Sequence, residues 1–178
     1  LGPAGCTVLV IRNDLFGHAD KDVPILCDWD LHEKSPDGYY NTPAIFPMYM
    51  TGLNCSYMNQ MGGLDYYDQI TNIKSKMLWD MIDNSDGYYK SKITQKAYRS
   101  RVNVIFRIQN GNVKLEKTFV ELAKKAGITQ IVAHSFNPGI RISMYNAMPV
   151  TGVGHLCNFM RVFMLDFPFD RVREDPKM

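Results

Sequence analysis

Along the chain the spacing of apolar side chains changes period several times, and each change marks an element. Cys6–Arg12 (CTVLVIR) is a short β-branched run opened by Gly2-Pro3-Ala4-Gly5, and it reads as a strand buried on both faces of a parallel sheet. A loop rich in Asp, Lys, Pro and Gly follows, interrupted by the apolar Val23–Leu26. From Pro43 to Met61 the alternation is gone. Phe46, Met50, Leu53 and Tyr57 recur at steps of four, three and four, which predicts one buried helical face, and Gly62-Gly63 closes that helix. A second helix is predicted to bury Leu64, Tyr67, Ile70, Ile73, Met77 and Met81, and Asn84-Ser85-Asp86-Gly87 stops it with turn chemistry.

Beyond Gly87 the pattern is that of an α+β unit. Val102, Val104, Phe106 and Ile108 alternate with their neighbours as a half-buried strand does. After the turn Asn110-Gly111-Asn112, a stripe of Leu115, Phe119, Leu122 and Ala126 predicts a helix, with Lys124 and Lys125 in its last turn and Gly127 closing it. Ile131–Ala133 and Ile140–Met144 are strand candidates, and a last helix beginning near Thr151 buries Val153, Leu156, Met160 and Phe163. The order strand, helix, strand, strand, helix places a domain boundary near Gly87, giving a first domain over 1–86, a second over 87–165 and a frayed tail over 166–178.

Composition narrows the function classes. The 178 residues carry 20 basic and 18 acidic side chains, a net charge of +2, and the basic residues are interleaved with acids; nothing here argues for nucleic acid. No apolar stretch approaches the roughly 20 residues of a membrane span. Cys6, Cys27, Cys55 and Cys157 form no C-x-x-C pair, so four reduced thiols in a cytoplasmic protein are expected rather than a disulfide scaffold or zinc knuckle. The chain opens on Leu1 with no signal-peptide pattern behind it, and is expected to be a piece of something longer.

Two positions suggest anion chemistry. In Tyr40-Asn41-Thr42-Pro43, Thr42 is a good N-cap and Pro43 suits the first helical position, so the helix amides and the Asn41 and Thr42 side chains together can bind an anion, although such residues more often make an ordinary capped helix. Pro47 is expected to bend that helix's first turns. Arg141 shares a strand face with Ser143 and Tyr145, where a rigidly held guanidinium suits a bidentate grip on carboxylate or phosphate, or a local acid. His134, between two strands, either assists in binding an anion or is an ordinary satisfied surface or core histidine. Asp28, Asp30 and His32 alternate like ligands, but with no second ligand cluster no metal site is assigned. Gly2-x-x-Gly5 is not a dinucleotide-binding fingerprint.

The stretches LGPAGCTVLVIR (1–12), YYNTPAIF (39–46), MGGL (61–64), RSRVNVIFR (99–107) and IRISMYNAMP (140–149) resemble, in order and spacing, the C-terminal half of the phosphoserine aminotransferase family, class V aminotransferases of the aspartate-aminotransferase-like fold. The resemblance reaches to about Leu165. It implies an α/β fold, the C-terminal part of a large pyridoxal-phosphate fold type I domain followed by a small α+β domain. It implies a cytoplasmic transferase of serine biosynthesis that passes an amino group from glutamate through pyridoxal 5'-phosphate to 3-phosphohydroxypyruvate, giving O-phospho-L-serine. It implies a homodimer with active sites at the subunit interface. By resemblance, Asn41 and Thr42 hold the cofactor phosphate of the neighbouring subunit, Arg141 grips the substrate α-carboxylate, and His134 helps bind the substrate phosphate. The family's Schiff-base lysine falls in a Q-K-N stretch before the segment matching Leu1, so no catalytic residue is assigned and the chain alone is expected not to transaminate. Ser135 stands where the family usually has arginine, which bears on substrate phosphate. The alternatives are another class V enzyme with a different amino or keto acid, and a non-catalytic dimerisation module.

Overall fold

Contacts divide the chain into two units, residues 1–63 and 64–178, and the computed structural model describes residues 2–133 and 138–168. In the first unit the apolar run 6–12 has no regular secondary structure and joins no ladder, and Val8, Leu9 and Val10 are exposed, Val10 to 97%. The buried strand expected there is therefore not formed. A strand is made by its neighbours' N–H and C=O groups, and no described segment of the chain offers an edge to 6–12. Two short 3-10 turns (Asn13–Leu15 and Ile25–Cys27) lead to helix α1, Trp29–Lys34. Asp28 caps it by accepting from the Asp30 amide, and Asp30 pairs with Lys34 one turn on.

Helix α2 runs Ile45–Gln60, with Gly62 and Gly63 at positive φ just beyond its end. It starts two residues later than the sequence predicts: Ala44 is the N-cap, and the Ala44 carbonyl accepts the first intrahelical bond from Met48. Pro47 thus occupies the third helical position, where an amide would have no intrahelical partner, and it does not interrupt the helix. None of the α2 residues is buried. Phe46, Leu53 and Tyr57, the face predicted to be covered, are exposed.

The second unit opens with α3, Gly63–Asp83. Its buried side is Lys74, Ser75, Leu78, Trp79 and Ile82, about one residue round the helix from the predicted stripe; Leu64 and Ile73 are exposed, while Met77 and Met81 pack at the margin of the core. This burial is why α3 groups with the residues after it rather than before it. The turn at 84–87 is closed by the Ser85 hydroxyl, which donates to Ile82 O and accepts from the Tyr89 amide, with Asp86 and Gly87 at positive φ.

Strands β1 (Tyr89–Lys90), β2 (Asn103–Ile108) and β3 (Ile140–Ser143) form an antiparallel sheet in that order. Its register pairs Lys90 with Arg107, Ile105 with Arg141 and Asn103 with Ser143. Ile131–Ala133 extends the pairing beyond β3 as a single bridge, Val132 to Ile140. As the alternation predicts, Val104, Phe106, Ile108, Ile140 and Ile142 face the core. Helices α4 (Val113–Lys125) and α5 (Val150–Asp166) supply the rest of that core. Asn112 caps α4 by accepting from the Leu115 amide, and Gly127 follows its C-terminus at φ 82°. Phe119 sits at the centre: its ring meets those of Tyr89, Phe106, Phe159 and Phe163 edge-on, with centroids 4.9–6.2 Å apart. Val153, Leu156, Met160 and Phe163 are the buried side of α5, together with Cys157. Among the described residues no helix is long and apolar enough to cross a membrane. The expected tail begins with the last residue of α5, and 169–178 lie outside the described residues.

Candidate functional site

In the first unit, Asn41 and Thr42 lie in the non-helical approach to α2. Both are exposed, and among the described residues neither side chain has a hydrogen-bond partner. Neither is the N-cap, and Ala44 in that position gives no side-chain bond. The first-turn amides of Ile45 and Phe46 therefore stay uncapped by side chains, and Pro47 contributes none. Donor groups at the positive end of a 16-residue helix, beside two free polar side chains, fit a phosphate. Asp28, Asp30 and His32 are differently employed: two serve α1, and His32 Nε2 lies 3.1 Å from Leu26 O.

In the second unit, antiparallel register sets Arg141 on the sheet face away from the core, beside Ile105 on β2. Its strand is pinned on both sides, since the Arg141 amide donates to Ile131 O at 2.8 Å. The side chain lines a cleft of about 490 Å³ whose other walls include Ile128, Gln130, Tyr145, Met148 and His155. The guanidinium has no hydrogen-bond or ion-pair partner among the described residues, and its Nε is buried. A buried N–H without a partner is costly, so a free, half-buried guanidinium at a cleft points to an anion that supplies one. The neighbouring Arg107 is engaged: its Nε donates to Glu116 Oε1 at 2.7 Å, and the same oxygen accepts from the Ile108 amide.

His134 and Ser135 lie outside the described residues. One residue the sequence reading missed borders this site. Lys74, on α3, is fully buried and its ammonium donates to the carbonyls of Tyr145 at 2.8 Å, Met148 at 3.0 Å and Met144 at 3.4 Å. Burial holds its pKa below the ordinary lysine value. A lysine between Ile73 and Ser75 carries no signal of burial in the sequence, because helix lysines usually face water.

Comparison with known proteins shows the family to which the chain belongs. The family model described as aminotransferase class-V matches residues 1–156. The phosphoserine aminotransferase of Chromobacterium violaceum is 38% identical over 163 residues, covering 92% of this chain and 44% of the relative. That of Lysinibacillus sphaericus is 38% identical over 167 residues, 94% of this chain and 44% of the relative. Among solved structures, a phosphoserine aminotransferase from Bacillus circulans subsp. alkalophilus superposes with a TM-score of 0.81 at 31% identity, over 88% of this chain and 42% of that one. A PLP-bound phosphoserine aminotransferase from Trichomonas vaginalis gives 0.73 at 26% identity, over 80% and 39%. The chain thus spans less than half the length of the relatives it matches, and has the fold of the corresponding part of them.

Proposed function

The chain belongs to the class-V aminotransferases, and on that premise we propose that it is the C-terminal part of a pyridoxal-phosphate-dependent phosphoserine aminotransferase. The whole protein transfers the amino group of glutamate to 3-phosphohydroxypyruvate and yields O-phospho-L-serine for serine biosynthesis, as a cytoplasmic homodimer with active sites at the subunit boundary. In this reading residues 1–86 complete the large, cofactor-binding domain and residues 87–165 form the small one.

The observation that carries the reading is Arg141: an unpaired guanidinium with a buried Nε, held on a doubly paired strand at a cleft. Planar and permanently charged, it matches a substrate carboxylate with two parallel hydrogen bonds and fixes the orientation of the carbon that bears the amino group. Asn41, Thr42 and the first amides of α2 would hold the cofactor phosphate of the neighbouring subunit. When bound, pyridoxal phosphate carries the amino group and takes up negative charge from the substrate. His134 is assigned to the substrate phosphate, without the arginine that Ser135 replaces.

The test is direct. The whole protein, supplied with pyridoxal phosphate, glutamate and 3-phosphohydroxypyruvate, is expected to form O-phosphoserine and 2-oxoglutarate, followed by mass spectrometry. Formation of an amino acid from pyruvate or glyoxylate but none from 3-phosphohydroxypyruvate would favour a class-V enzyme of other specificity, which Ser135 makes the second reading. Absence of any transfer would leave the dimerisation module.

A further inference from the structure

The segment that follows Arg141 is hydrogen-bonded to a buried cation. Between β3 and α5 the chain makes a tight turn over Met144–Met148, in which the Met148 amide donates to Tyr145 O. Three carbonyls of this turn, from Met144, Tyr145 and Met148, converge on Lys74 Nζ. On its other side Met144 is fixed by its amide, which donates 2.8 Å to Val102 O. No carboxylate lies within ion-pair distance of Lys74 among the described residues. The carbonyl oxygens therefore stand in for the counter-charge that burial removes from water. Met144, Tyr145 and Met148 are also walls of the Arg141 cleft.

We propose that Lys74 is a positioning residue for the anion grip: by holding the Met144–Met148 turn through its three carbonyls, it sets the cleft wall against which Arg141 meets a carboxylate. This rests on the assignment of Arg141 as the carboxylate-binding residue. Lysine suits the task because an ammonium offers three donors around one point and no acceptor. A neutral side chain at 74 would leave the Met144 and Met148 carbonyls without this donor, Tyr145 O keeping only the Met148 amide, and loosen the turn. Lys74 is not itself a wall of the cleft and acts through the main chain it holds.

The probe is glutarate, a dicarboxylate without an amino group, titrated calorimetrically into the whole protein carrying its cofactor. Four forms are compared: wild type, Lys74→Met, Arg141→Lys and the double variant. If Lys74 acts through Arg141, Lys74→Met weakens glutarate binding about tenfold in the wild-type background but by no more than about threefold beside Arg141→Lys, because the two residues share one interaction. Equal losses in both backgrounds overturn the proposal. So does a lower melting temperature with unchanged glutarate affinity, the signature of a purely structural lysine. Should Lys74→Met not fold, Lys74→Arg keeps the charge but displaces its donors; affinity equal to wild type then overturns the proposal, and weaker binding supports it. Failure of the underlying assignment looks different: Arg141→Lys alone then binds glutarate as wild type does, whatever Lys74 contributes.

Discussion

Replacing Arg141 by methionine should separate stability from binding, with opposite signs. Met keeps an unbranched stem of similar length and removes the guanidinium. In the ligand-free protein the buried Nε has no partner, and an unsatisfied buried donor costs about 1–3 kcal/mol. Removing it is therefore expected to leave the unfolding free energy unchanged or to raise it by up to about 3 kcal/mol, read from urea denaturation of the whole protein without substrate. Binding moves the other way. A bidentate grip supplies two hydrogen bonds to a charged group at about 1.5–3 kcal/mol each, so its loss amounts to about 3–6 kcal/mol, or roughly 10²–10⁴ in the dissociation constant for glutamate. Wild type should also gain stability on adding glutamate, and the variant should not. A variant that loses more than about 1 kcal/mol of stability and binds glutamate normally would refute the reasoning, since that is how an internally satisfied structural arginine behaves.

Two further outcomes follow from the core. Phe119→Ala removes a fully buried ring together with four edge-on aromatic contacts, and should destabilise the protein by about 3–5 kcal/mol in chemical denaturation, whereas Phe119→Leu should lose less. Burial pushes the Tyr88 phenol up to about 12, while its hydroxyl donates to Phe167 O at 2.6 Å. A folded pKa above the ordinary value of 10 means that this contribution to stability is complete below pH 10 and is lost as the pH climbs toward 12. Thermal melts across that window should show a shallower decline for Tyr88→Phe than for wild type; parallel declines would contradict it.

How much of this was legible in the sequence depended on where each element's partners lie. Strand β2 and helices α4 and α5 were readable because their covering surfaces belong to the same stretch of chain, so periodicity and burial coincide at Val104, Phe119 and Met160. The run Cys6–Arg12 has the composition of a buried strand, yet a strand is a relation between chains of backbone groups, and no described segment supplies the other half. The apolar α2 face is open for a similar reason: hydrophobic spacing announces a surface to be covered without providing the cover. On α3 the reading was one residue out because it followed the apolar residues, while Lys74 and Ser75 are among those buried. Strand β1 escaped notice because two residues are too few to show a period; the paired Tyr88 and Tyr89 after a turn were its only trace. Of the site, Arg141 was visible through strand alternation. Asn41 and Thr42 were read as a polar helix start, and the cap was misjudged, since Thr-Pro looks like a helix start even where Ala44 performs that role.

The register between β2 and β3 has a consequence for how such a site can change. Successive side chains of a strand point to opposite faces, so the pairing of Ile105 with Arg141 works like a latch with two settings. Sliding β3 by one residue would drive the guanidinium among Phe106 and Met160 and turn Ile140 and Ile142 out to water. Specificity can then be retuned by exchanging side chains or reshaping the turn, whereas gaining or losing a residue within the strand forfeits grip and core at one stroke.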